Sequence, residues 1–148
     1  MPLRRRTLAI LAVSAALALP ACGLGMGASG AQNDINAIDP AADVQAQSNL
    51  SLAVVAARTA FMDSMTYAGA TAQKLSQVEP SLQFVTGTSS GPSVVSVLPQ
   101  GPQRWAAAVL STSGTCFYTV IDGSGTTLKG SAKAACDAGD AGSHVTQQ

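Results

Sequence analysis

Histidine occurs once in the 148 residues, at position 144. A lone imidazole argues against Ser-His-Asp and Cys-His catalysis in their usual form, and against most zinc sites. Charge is equally sparse, with eight Lys and Arg against eight Asp and Glu. The acids are scattered, and no pair can be placed together as general acid and base. The sequence therefore offers no catalytic residue, no metal site and no cofactor motif, and it reads as non-enzymatic. Three of the cations are Arg4, Arg5 and Arg6; without them five basic residues face eight acidic ones. A mildly acidic domain with dispersed Lys and Arg argues against a nucleic acid partner.

Aromatic residues are also few: Phe61, Tyr67, Phe84, Trp105, Phe117 and Tyr118. All lie in one central stretch, which places the packed core there. Trp105 and Tyr118 offer themselves as surface anchors for a partner, but the pattern around them favours packing of a sheet against a helix. "DGSG" at 122–125 lacks the Lys and Ser/Thr spacing of a phosphate loop and reads as a turn. Asp122 and Asp137 are too few oxygens for calcium and read as solvated loop acids. "NLS" at 49–51 matches the N-glycosylation pattern, yet it falls on an expected helix and is taken as chance.

What the chain does have is an apolar N-terminus. "MPLRRR" followed by "TLAILAVSAALAL" has the basic and apolar regions of a secretory signal over residues 1–21. An uncleaved membrane anchor is the alternative, although Pro20, Gly23, Gly25 and Gly27 interrupt the second part of the uncharged stretch. "LPAC" resembles a bacterial lipobox, in which Cys22 becomes the acylated N-terminus; Pro20 departs from the usual residue there. Cleavage after "SGA" at 29–31, with Cys22 discarded, is the rival. Either processing leaves Cys116 and Cys136, an even number, and in an oxidising compartment a disulfide is expected between them.

Residues 22–38 are small, polar and aperiodic, a flexible linker. Asp39 and Pro40 then suit an N-cap and a first helical position. Ala46, Leu50, Val54, Ala57, Phe61 and Met65 recur at helical spacing, with Val44, Val55 and Met62 beside them. This pattern predicts one helix over about 40–65. Thr71 caps a short second helix that stops before Pro80. Period-two runs at 82–85, 93–98, 104–110 and 116–121 predict four strands, the last two joined by a hairpin at "STSGT". Beyond Asp122 the chain reads as loop, pinned only by Cys136, with residues 137–148 disordered. The expected fold is α+β: a helix packed on a small antiparallel sheet in a domain spanning 39–136.

The stretch "AQSNLSLAVVAARTAFMDSMTYAGATAQKLSQVEPSLQFV", then "GPSVVSV" and "WAAAVLSTSGTCFYTVIDGSGTT", resembles the globular part of type IV pilins and type II secretion pseudopilins. The resemblance runs from Ala46 to Cys136. It implies a helix cradled by an antiparallel sheet, a disulfide-closed C-terminal loop, and assembly rather than catalysis. "RRRTLAILAV" departs from the family: it has neither the glycine of a prepilin cleavage site nor a glutamate in the apolar run. The combined expectation is an exported, envelope-tethered pilin-like interaction protein. Its membrane contact would be a lipid on Cys22, and pilus or secretion-system proteins would be its partners. The alternatives are a minor pilin or pseudopilin subunit and, for location, a secreted protein.

Overall fold

The computed structural model describes residues 34–146, with side chains from Pro40 onward. Helix α1 (Asp34–Ser64) contains Pro40 rather than starting there. A 3-10 turn (Tyr67–Gly69) leads to α2 (Ala72–Val78), whose N-cap is Thr71; its hydroxyl accepts from the Lys74 amide. Five strands follow: β1 (Gln83–Val85), β2 (Val94–Pro99), β3 (Trp105–Leu110), β4 (Cys116–Ile121) and β5 (Thr127–Ala132). A second 3-10 turn (Ala138–Asp140) and the single helical turn α3 (Ala141–His144) complete the described chain.

The sheet runs in sequence order from β1 to β5. β1 pairs parallel with β2, and every other neighbour is antiparallel, so the sheet is mixed and has five strands rather than four antiparallel ones. The parallel step depends on Ser89, buried in the crossover between β1 and β2. Its hydroxyl accepts from the Leu110 amide at 2.8 Å and donates to the Val94 carbonyl, while its amide donates to the Cys136 carbonyl. One side chain thereby fixes the crossover against the end of β3.

β3–β4 and β4–β5 turn in the same way. In each, the first residue's amide bonds to a carbonyl four residues on, and a glycine at positive φ (Gly114, Gly125) closes the loop. That is the three-residue hairpin with a left-handed glycine. β5, read from sequence as loop, is therefore a strand paired along its whole length with β4.

The two sheet faces pack differently. On one face, α1 contributes Ala46, Ala53, Ala56, Ala57 and Ala60 with Leu50, all buried. The sheet supplies the bulk, in Trp105, Val95, Val97 and Val109. Small residues on the helix let it sit close to large ones on the strands, which fills the layer. The expected wide apolar face is corrected here: Val44, Val55 and Met62 are 61–78% exposed on the side of α1 away from the core. Met65 is exposed as well, in a left-handed conformation (φ 55°) that ends the helix.

The opposite face is covered by the residues after β5. Ala106, Ala108, Tyr118 and Val120 pack beneath Cys136, Ala138 and Ala141. Cys116 and Cys136 form a disulfide with a Cα–Cα distance of 5.3 Å. Ser96, buried in β2, accepts from the Ala138 amide at 2.9 Å, and Thr146 bridges to Lys129 on the outer edge of β5. The segment expected to be a disordered tail thus forms a second layer as far as Thr146. It holds through backbone and disulfide contacts that no apolar period announces.

Candidate functional site

α1 and β5 diverge on the helix side of the sheet, leaving an open groove of about 290 Å³. Period two aims Thr127, Lys129 and Ser131 of β5 at the helix, because Leu128 and Ala132 face the other layer. Across the groove stand Gln47, Ser51 and Val54 of α1, with Leu50 and Phe117 as its apolar floor. A second, smaller hollow of about 190 Å³ shares Ser51, Val54 and Lys129 and extends the groove to Arg58 and Thr127.

The groove is built by latches at both ends. Arg58 donates from Nη2 to the Thr127 hydroxyl at 2.9 Å and to the Gly125 carbonyl at 3.2 Å, tying α1 to the β4–β5 turn. Near the start of the helix, Ser113 donates to the Asp43 carboxylate at 2.6 Å, tying it to the β3–β4 turn. That bond, with a second hydroxyl at Ser111, holds the Asp43 carboxyl below its ordinary range. Asn49 donates to the Pro92 carbonyl at 2.8 Å, so its amide anchors the crossover and is engaged in the fold.

Residues singled out in the sequence fall elsewhere. Cys22, the lipidation candidate, lies outside the described residues, as do the signal and most of the linker. Cys116 and Cys136 are brought together as expected. Trp105 packs under α1 and donates from its indole to the Ala70 carbonyl at 3.1 Å, so it is a core residue. Tyr118 is a core residue too, but on the opposite face from the one expected. Its hydroxyl donates to the Ala135 carbonyl at 2.7 Å, and His144 stacks on its ring at a centroid distance of 4.7 Å. Burial raises the Tyr118 phenol above its usual value, and Asp140 and Asp137 add to the shift.

Asp122 accepts from the Ser124 amide and hydroxyl and from the Thr126 amide; the Ser124 hydroxyl leads in lowering its pKa. Asp137 accepts from the Gly139 amide at the start of its 3-10 turn. Both acids organise turns. Among the described residues no group of three His, Cys, Asp or Glu could hold a metal. Nor is any helix among them long and apolar enough to cross a membrane.

Sequence reasoning missed Arg58 and Lys129. The signal for Lys129 was available in "TLKGSA", where Leu128 and Ala132 alternate with polar residues. Arg58 carried no such signal, because only the helix–sheet angle sets it beside Thr127. No family model, curated protein or solved structure matches the chain.

Proposed function

We propose that this protein is an exported, envelope-tethered, pilin-like component that works by binding rather than by catalysis. The observation that carries the reading is the disulfide between β4 and the covering segment. Such bonds persist in oxidising compartments and are rare in reducing ones. The signal-like residues 1–21 and the lipobox-like "LPAC" provide the route and the tether. Helix α1 laid on a sheet, with a disulfide-closed C-terminal segment, agrees with the pilin-like resemblance. A minor pilin or pseudopilin subunit is the second reading, and the helix-on-sheet arrangement favours it equally.

The test is mass spectrometry of the N-terminus of protein recovered from its native host, joined to metabolic labelling with a lipid precursor. An acylated Cys22 and loss of label in Cys22→Ala are expected. A free N-terminus at Gln32 overturns the tether but keeps export; an intact Met1 on protein that co-purifies with filaments selects the subunit reading.

A further inference from the structure

Two cations meet the α1–β5 groove and no carboxylate lines it. Acids outnumber bases across the described residues, yet both acceptors of the Arg58 bonds are neutral. The one ion pair among the described residues, Lys74 with Asp63, lies elsewhere. Positive charge at the Arg58–Lys129 end is therefore uncompensated by the fold. Leu50, Val54 and Phe117 give the groove an apolar floor, with the neutral Gln47, Ser51 and Ser131 beside it. We propose that this groove binds a single-chain anionic amphiphile, a medium-length alkyl carboxylate. Its head lies between Arg58 and Lys129, and its chain lies along Leu50, Val54 and Phe117.

Charge and shape choose this class together. A small anion without an apolar part would gain only an exposed ion pair, which is weak and screened. The Arg58 guanidinium spends Nη2 on the β4–β5 turn and keeps further N–H donors for a carboxylate, a planar acceptor that matches it. From Gln47 to Arg58 the helix rises about 16 Å at 1.5 Å per residue, room for one extended alkyl chain. An extended peptide suits the groove less well. The groove presents side chains of β5, whose backbone is paired to β4 on one edge and bridged at Lys129 by Thr146 on the other. The assignment does not depend on export or on the Cys22 tether.

The test is an ¹⁵N NMR titration of the full chain with decanoate, kept below its micelle concentration. Saturable shifts are expected at residues 47–58, 117–119 and 127–131, with none from acetate or decyltrimethylammonium at the same concentration. Arg58→Gln combined with Lys129→Gln should weaken decanoate binding at least tenfold. Val54→Glu, which puts a like charge on the apolar wall, should abolish it; thermal melts confirm that each variant is folded. The proposal is overturned by any of four results. These are no saturable decanoate binding, shifts centred elsewhere, equal binding of decyltrimethylammonium, or undiminished affinity in a folded double variant.

Discussion

One face of the sheet is covered by α1, whose buried side is mostly alanine against Trp105 and three valines. The other is covered by the segment after β5, where small residues, Tyr118 and a disulfide take the place of a helix-sized apolar layer. The helix face is held by area removed from water, spread over many contacts. The tail face is held at discrete points: a disulfide, the Tyr118 hydroxyl, the Ser96 hydroxyl and the Thr146 bridge. Damage to the first should therefore be global, and damage to the second local.

Trp105→Ala should separate the two most strongly. It removes the largest fully buried side chain and the indole bond to Ala70. A loss of about 3–5 kcal/mol is expected in denaturant unfolding, with both faces melting together. Replacing Cys116 and Cys136 by alanine opens a loop whose ends lie 20 residues apart. On the chain-entropy account the cost is about 3 kcal/mol. Hydrogen exchange should quicken in 133–146 well before it does in α1 and β3; uniform acceleration would erase the distinction between the faces.

Gly130→Ala is a finer probe of the tail face alone. A Cβ there would run into the His144 carbonyl oxygen, which is backbone and cannot swing aside. The segment from α3 onward must move, at about 1–3 kcal/mol. NMR shifts at 141–146 with an unchanged Trp105 environment are expected.

The smallest effect is Tyr118→Phe, which deletes the bond to Ala135 for about 0.5–1.5 kcal/mol. It also carries a pH signature. Folding raises the Tyr118 pKa, so its protonated form contributes stability that is fully present below the unfolded value near 10 and lost as pH rises through the folded value. Between those two values the loss of stability with rising pH should be less steep in Tyr118→Phe than in the parent. Tyr67, raised by its own burial on the helix face, should keep part of the slope.

The helix face was largely readable from sequence and the tail face hardly at all. α2 with its Thr71 cap, four of the strands and the "STSGT" hairpin follow from period, capping and turn chemistry. The core side of α1 was legible in Ala46, Leu50, Val54, Ala57 and Phe61, but its width misled: Val44, Val55 and Met62 are more apolar than alanine, whereas packing against Trp105 favours small residues. β5 was hidden by having only Leu128 and Ala132 on its buried side, even though "DGSGT" repeats the turn grammar of "STSGT". The groove was illegible for a related reason. Arg58 and Lys129 are far apart in sequence and line one hollow only because β5 pairs with β4 and α1 lies across the sheet beside it.

The bond between the Ser89 amide and the Cys136 carbonyl has a consequence for the order of events during synthesis. The segment after β5 is the last part of the described chain to be made, so it is the last to reach the sheet. Until Cys136 arrives, the crossover at Ser89 lacks one of its partners, and Ala106, Ala108 and Val120 face solvent. The covering segment thus acts as a seal: wherever it is undocked, the Ser89 crossover and the small apolar residues beneath it lose their cover together.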